Sequence, residues 1–342
     1  MVTDGLAFVE RLSYHVKSSD FRGLMSTEQL SASYWRRAAR RILRPWRPRT
    51  PEGFSFPGAP IVVLTDLDGS PQEHGARSNW PAKETLDALR RFRIPLVISS
   101  SGTRVEIEHL QQELNICHPF IAENGGALFV PLGYFPSVAN ATRGPGYQSV
   151  EFGIPYHMVV DGIRLASEEV RVPIAGFSDL SIDQIAADCQ LSLPMARLAK
   201  LREYSEPFRI LHSGQSAQSQ LFEAAHRRKL RCFTRGRYHY VTGVVDPAAS
   251  VRALVELYRE ACPEVVTAAI VDGLGDLAVL REVDVPIVVH NPPLDAARLL
   301  RKVPTAHLTS ASGAEGWNEA IFSLIDLRVS GSLEHSDRKE AQ

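Results

Sequence analysis

The chain lacks an excess of charge of either sign: 38 Lys and Arg stand against 39 Asp and Glu. That balance removes the overall basic field that would select nucleic acid or an anionic membrane, so any such contact has to be local, and no nucleic-acid partner is expected. Cysteine is scarce. Cys117, Cys189, Cys232 and Cys262 are widely separated and show none of the paired spacing that a zinc site or redox motif needs. They read as reduced thiols, and a cytoplasmic location is expected. Long hydrophobic runs are also missing: no stretch approaches the ~20 apolar residues of a membrane-spanning helix. Asp4 and Glu10 interrupt the start of the chain, which therefore does not read as a secretory signal.

What is present is length. The 342 residues suffice for one large core and a smaller lobe. Residues 1–58 read as an N-terminal extension that ends in the Pro- and Gly-rich linker PRTPEGFSFPGAP. Within it, Trp35, Ala38, Ala39, Ile42 and Leu43 recur at helical spacing, with Arg36, Arg37, Arg40, Arg41 and Arg44 on the other face until Pro45 stops the pattern. The basic segment from Arg36 to Arg49 suits an acidic partner, RNA or a membrane surface; the plainer alternative is a solvated helix packed on the core. From residue 59, short apolar runs alternate with helical ones, which predicts an α/β fold built on a parallel sheet. Strands are expected at 61–66, 95–100, 266–271 and 286–291, and a strand bent at its paired glycines at 119–131. Helices are expected at 83–92, 103–114, 248–261 and 277–283. Residues 151–238 are more polar and loop-rich, with helical stretches near 181–188 and 194–201, and read as an inserted lobe between core segments 59–150 and 239–328. Residues 329–342 read as a disordered tail.

The strongest local signal is TDLDGS (65–70), just past the carboxyl end of the first strand, where open parallel sheets bind ligands. Asp66 and Asp68, followed by a glycine that permits a sharp turn, place two carboxylates together. Crowded carboxylates repel unless a cation sits between them, and hard oxygen ligands beside a substrate phosphate describe a magnesium site. Asp66 then suits nucleophilic attack on phosphorus, and Asp68 protonation of the leaving oxygen and activation of water. Taken alone, such a pair is also a common turn or capping feature.

TDLDGS resembles the first motif of the haloacid dehalogenase (HAD) superfamily. VISSSGTRVEIEHLQQELNICHPFIAENGGALFVP (97–131) resembles one branch of it, the mannosyl-3-phosphoglycerate phosphatases. So do GFSDLSIDQIAADCQLSLPMARLAKLREYSEPF (176–208), GLGD (273–276), VDVPIVVHNP (283–292) and GAEGWNEAI (313–321). The resemblance implies a Rossmann-like parallel-sheet HAD core with an inserted α/β cap domain, and Mg2+-dependent removal of phosphate from a sugar phosphate. It makes Asp66 the nucleophile, Asp68 the general acid/base and Ser100 the second-motif hydroxyl that holds a phosphoryl oxygen. It adds Asp276 to Asp66 and Asp68 as a metal ligand. Arg104, Asn124, Gly125, Arg202, Glu203 and Glu206 fall on segments that shape the cleft or face the substrate, although a structural ion pair inside the cap is an equally simple role for the last three.

The chain departs from that pattern at three places. The third motif keeps its acid as Asp246, but the lysine position carries Pro247. A second-motif lysine is replaced by Gly102, and after GLGD the fourth motif runs straight into LAVL. A cationic clamp on a transferring phosphoryl group is worth several powers of ten in rate. Arg104, Arg237 and Lys200 are the candidates to replace the charge, and Asp272 the acid. The alternative is a catalytically impaired HAD-like protein that binds or regulates.

Overall fold

The computed structural model describes residues 60–66, 82–211, 214, 216–246, 248–272, 277–290 and 296–340. The N-terminal extension with its Arg-rich segment, together with Asp68, Pro247 and Asp276, lies outside the described residues. In chain order the first part of the core holds β1 (Ile61–Asp66), α1 (Lys83–Arg91), β2 (Leu96–Ser99), α2 (Arg104–Leu114), β3 (Phe120–Ala122), β4 (Ala127–Pro131), β5 (Thr142–Arg143) and β6 (Tyr147–Glu151). A second group follows: α3 (Tyr156–Val170), β7 (Ile174–Gly176), α4 (Ile182–Cys189), α5 (Leu193–Ala199), β8 (Ser205–Ile210), α6 (Ala217–Arg227), β9 (Leu230–Arg235) and β10 (Tyr238–Gly243). The chain then returns to the core through α7 (Ala249–Ala261), β11 (Val266–Val271), α8 (Leu277–Leu280), β12 (Val285–His290), α9 (Ala296–Lys302), β13 (His307–Ser312) and α10 (Gly313–Glu340).

The first group and the last build a nine-stranded sheet in the order β13-β12-β11-β1-β2-β3-β4-β6-β5. It is parallel from β13 to β3 and antiparallel beyond. β1 is apolar at successive positions because both of its faces are covered, as parallel sheets require. Val62 and Leu64 pack with Val251, Leu254, Val255 and Tyr258 on one side. Ile61 and Val63 pack with Trp317, Ile321 and Leu324 on the other. Each side chain so enclosed contributes ~1.5–3 kcal/mol of hydrophobic stabilisation. The middle group forms a four-stranded antiparallel sheet, β7-β8-β10-β9, whose core is Val159, Ile163, Phe208, Leu221, Leu230 and Val241. The expected α/β core with an inserted α/β lobe is thus what the chain adopts.

Several expectations are corrected. Residues 119–131 are not one bent strand but an antiparallel hairpin, β3 and β4, because a 3-10 turn at Glu123–Gly125 reverses the chain. Asn124 (φ 58) and Gly125 (φ 90) both take left-handed backbone there, which glycine adopts without strain. Gly126 meets a different demand: a Cβ on it would lie 2.6 Å from Cβ of Tyr204. The inserted lobe is less irregular than its polarity suggested. Val159, Val160, Ile163 and Ala166 are the buried stripe of α3, diluted by polar residues on its outer face. The lobe also extends past residue 238, since β10 is a central strand of its sheet. α10 runs through Glu340, into the segment expected as a tail.

His118, after α2, has Nδ1 2.9 Å from the Tyr134 hydroxyl, which is 2.9 Å from that of Tyr258. Burial pushes the imidazole down to about 4 from an ordinary value of 6.5. The neutral ring is therefore the native form, and its contribution is present above pH 6.5 and lost as the pH falls towards 4. The stability difference between the parent and His118→Gln should shrink over that window by about 3 kcal/mol. Urea unfolding at a series of pH values checks this, and a difference independent of pH would contradict it.

Candidate active site

β1 lies between β11 and β2, and all three end at the same edge of the sheet, with Thr65 in register with Ile270 and Asp66 with Ser99. Asp66 closes β1 there. The strand end is fixed from α10, since Trp317 Nε1 donates to Thr65 Oγ1 at 2.9 Å in a buried bond. The Asp66 side chain is 8% exposed, and its Oδ2 accepts a hydrogen bond from an Nη of Arg235. Arg235 ends β9, so this cation comes from the smaller lobe.

The loop after β2 stands beside Asp66. Ser100 N–H donates to Ile121 O at 3.0 Å, and Ser100 Oγ accepts from Gly102 N–H at 2.9 Å. The carbonyls of Ser100 and Gly102 accept from the amides of Asn124 and Glu123 at 3.1 and 3.0 Å, which ties this loop to the turn between β3 and β4. Thr103 caps α2 in a reciprocal box with Glu106 and also donates from Oγ1 to Leu198 O of α5 at 3.0 Å. Asn124 Nδ2 is buried and has no hydrogen-bond partner among the described residues.

Beneath the turn runs an enclosed polar network. Glu123 is 1% exposed. Its Oε1 accepts from Glu203 N–H at 2.7 Å, and its Oε2 from Tyr204 N–H at 3.0 Å, Ser205 N–H at 2.7 Å and Ser205 Oγ at 2.8 Å. Burial pushes this carboxyl up, and the charge of Arg202 and the donated bonds pull it back. Arg202 donates to Ser101 O at 2.6 Å, Ala199 O at 3.1 Å and Ser205 Oγ at 3.3 Å. It therefore spans from the smaller lobe to the loop that carries Ser100.

The expected site residues thus fall into separate groups. Asp66 and the Ser100 loop share one edge, with Asn124 and Gly125 on the turn bonded to that loop. Arg104 pairs with Glu108 at 2.7 Å and Glu203 at 3.1 Å. Glu206 is bonded wholly within the smaller lobe, accepting from Tyr156 OH at 2.7 Å and from Ser178 N–H and Oγ at 2.9 and 2.6 Å. Of the cations considered as substitutes, Arg237 donates to Asp188 O at 2.7 Å and Lys200 to Leu180 O. Among the described residues the cation on Asp66 is Arg235, which the sequence reading missed because Arg235 is 169 residues away in the chain. The signal available was only an arginine pair, Arg235 and Arg237, around Gly236 at a hairpin tip.

A divalent cation is implied by the HAD fold, and the donors at this edge suit one. Asp66 ends β1, and Asp272 directly follows the neighbouring β11. Carboxylate oxygens are the hard donors that magnesium prefers. Among the described residues no three acidic, His or Cys side chains form a metal-binding group. No helix among them is long and apolar enough to cross a membrane.

No protein-family profile matches the chain. It is 38% identical over 267 residues to a glucosyl-3-phosphoglycerate/mannosyl-3-phosphoglycerate phosphatase of Methanococcoides burtonii, covering 77% of this chain and 97% of that protein. A protein of the same description from Persephonella marina is 31% identical over 78% of this chain and 97% of its own length. Among solved structures, a haloacid dehalogenase-like hydrolase from Bacteroides thetaiotaomicron superposes with a TM-score of 0.53 at 18% identity, covering 78% of this chain and 99% of that one. A HAD subclass IIB sugar phosphatase gives 0.51 at 13% identity, covering 77% and 98%. The structural likeness carries the fold, and the sequence identity over nearly the whole length of two relatives carries the kinship: this chain belongs to the mannosyl-3-phosphoglycerate phosphatase family of the HAD superfamily.

Proposed function

We propose that this chain is a magnesium-dependent phosphatase acting on mannosyl-3-phosphoglycerate or its glucosyl counterpart, through an aspartyl-phosphate on Asp66. The observation that carries the reading is the Asp66 carboxylate at the end of β1, enclosed, held by a cation and flanked by the Ser100 loop. A carboxylate so placed is suited to in-line attack. An Asp66 oxygen forms the new O–P bond as the bond from phosphorus to the glyceryl oxygen breaks, and Asp68 gives that leaving oxygen a proton. Asp68 then takes a proton from water, whose oxygen attacks phosphorus; the bond to Asp66 breaks and inorganic phosphate leaves.

Asp66, Asp68 and Asp276 would hold a magnesium ion, which would supply neutralisation of negative charge in the site. Ser100 Oγ and Asn124 Nδ2 are suited to donate to the substrate's oxygens, with Gly125 giving the turn its shape. Arg104 and Glu203 belong to the substrate's rim. Arg202 and Glu206 act in this scheme as positioning residues, because their hydrogen bonds run to the protein's own groups. The four cysteines are free thiols, in keeping with a reducing cytoplasm.

Phosphate release from both phosphoglycerates and a panel of simple sugar phosphates, with magnesium and with chelator, tests the proposal. Metal-dependent release strongest on the two phosphoglycerates is expected. Equal rates across the panel would sink the substrate assignment. No release above an Asp66→Asn blank would favour the impaired, ligand-binding alternative.

A further inference from the structure

The two positions where the family pattern places a lysine carry none in this chain. The third-motif acid, Asp246, is turned to its own helix: it accepts from Ala248 N–H and from Arg252, each at 3.0 Å, and Arg252 is also held by Glu282. The Ala248 amide, with Arg252 beside it, holds that carboxyl below its ordinary range. The next residue is Pro247, and the second-motif position is Gly102, so neither carries a cation. Yet two anions must meet here, a carboxylate nucleophile and a phosphoryl group, and like charges in an enclosed site repel strongly.

We propose that Arg235 is the catalytic cation of this phosphatase, delivered from the smaller lobe in place of the third-motif lysine. The proposal rests on reading Asp66 as the nucleophile. Arg235 is the last residue of β9, paired across the hairpin with Tyr238 of β10, and the tip turns through Gly236 at φ +57. The hairpin holds the guanidinium against Asp66. A guanidinium presents several donors in a planar fork, so one side chain can hold the nucleophile and a phosphoryl oxygen together. An arginine on the β9–β10 hairpin thus brings to the core nucleophile a positive charge carried by the smaller lobe.

The test compares the full-length parent with Arg235→Ala and Arg235→Lys in two assays. One is turnover of mannosyl-3-phosphoglycerate with magnesium. The other is calorimetric binding of orthovanadate with magnesium, a probe of the five-coordinate phosphorus geometry that needs no turnover. Melting temperatures serve as the folding control. Arg235→Ala should lower kcat by ~10²–10³-fold, the cost of one preorganised transition-state donor, with a much smaller change in KM. It should weaken vanadate binding by at least ~10-fold, and Arg235→Lys should keep part of both. A kcat and vanadate affinity in Arg235→Ala within about twofold of the parent would overturn the assignment, as would a loss confined to KM. A parent without turnover would remove the phosphatase reading, and the vanadate ratio would still decide for or against Arg235.

Discussion

Asp66→Asn is expected to lower phosphate release by at least ~10⁴-fold, the scale of loss when a covalent nucleophile is removed, while the melting temperature stays within a few degrees of the parent. An amide has the size of a carboxylate but lacks the anionic oxygen that must form the bond to phosphorus. Asn can still offer an acceptor to Arg235 through its carbonyl oxygen. The strand end is fixed independently by the buried bond from Trp317 to Thr65, so the substitution tests chemistry rather than folding. Single-turnover quenching with radiolabelled substrate gives a second reading: phosphate should appear on the parent protein and not on the variant. Comparable release by both chains would remove Asp66 from the nucleophile's role.

Glu123→Ala is expected to destabilise the protein by about 3–5 kcal/mol, the range for removing one partner from a buried charged network. The carboxylate accepts three backbone amides and a hydroxyl, all from residues 203–205. Without it these donors are buried unsatisfied, and the Arg202 guanidinium loses its nearest countercharge. Glu123→Gln should cost less, ~1–3 kcal/mol: whichever way its amide is turned, an NH2 group faces at least one donor. Urea unfolding measures both. If Glu123→Ala unfolds at the parent's urea midpoint, the junction between the β3–β4 turn and the 202–206 segment does not hold the fold together. Because Arg202 also grips Ser101, the variant should lose turnover at temperatures below its melting point.

Sequence and structure agree most closely where signals are local. The run IVVLTD names a buried parallel strand by composition, and the helix expected over 103–114 is α2, which starts at Arg104 behind its Thr103 cap. Departures occur where a residue's role depends on a distant partner. Residues 119–131 carry enough apolar character for one strand, and only the reversal at Asn124 and Gly125, with Tyr204 packed against Gly126, makes them a hairpin. The REYSEPF segment reads as substrate-facing by resemblance, yet its Arg202 and Glu206 make their hydrogen bonds with Ala199, Ser101, Ser205, Tyr156 and Ser178.

The amino-acid sequence by itself determined the α/β class, the inserted lobe, the family and the place of Asp66 at a strand end. Each of these rests on hydrophobic period or on contiguous motifs, which neighbouring residues specify among themselves. Only the tertiary structure decided which cation meets Asp66 and which carboxylate joins the β3–β4 turn to the 203–205 segment. Charge acts across space without regard to chain separation: Arg235, on a strand of the four-stranded sheet, meets Asp66, on a strand of the nine-stranded one, and no local pattern around residue 235 encodes that approach.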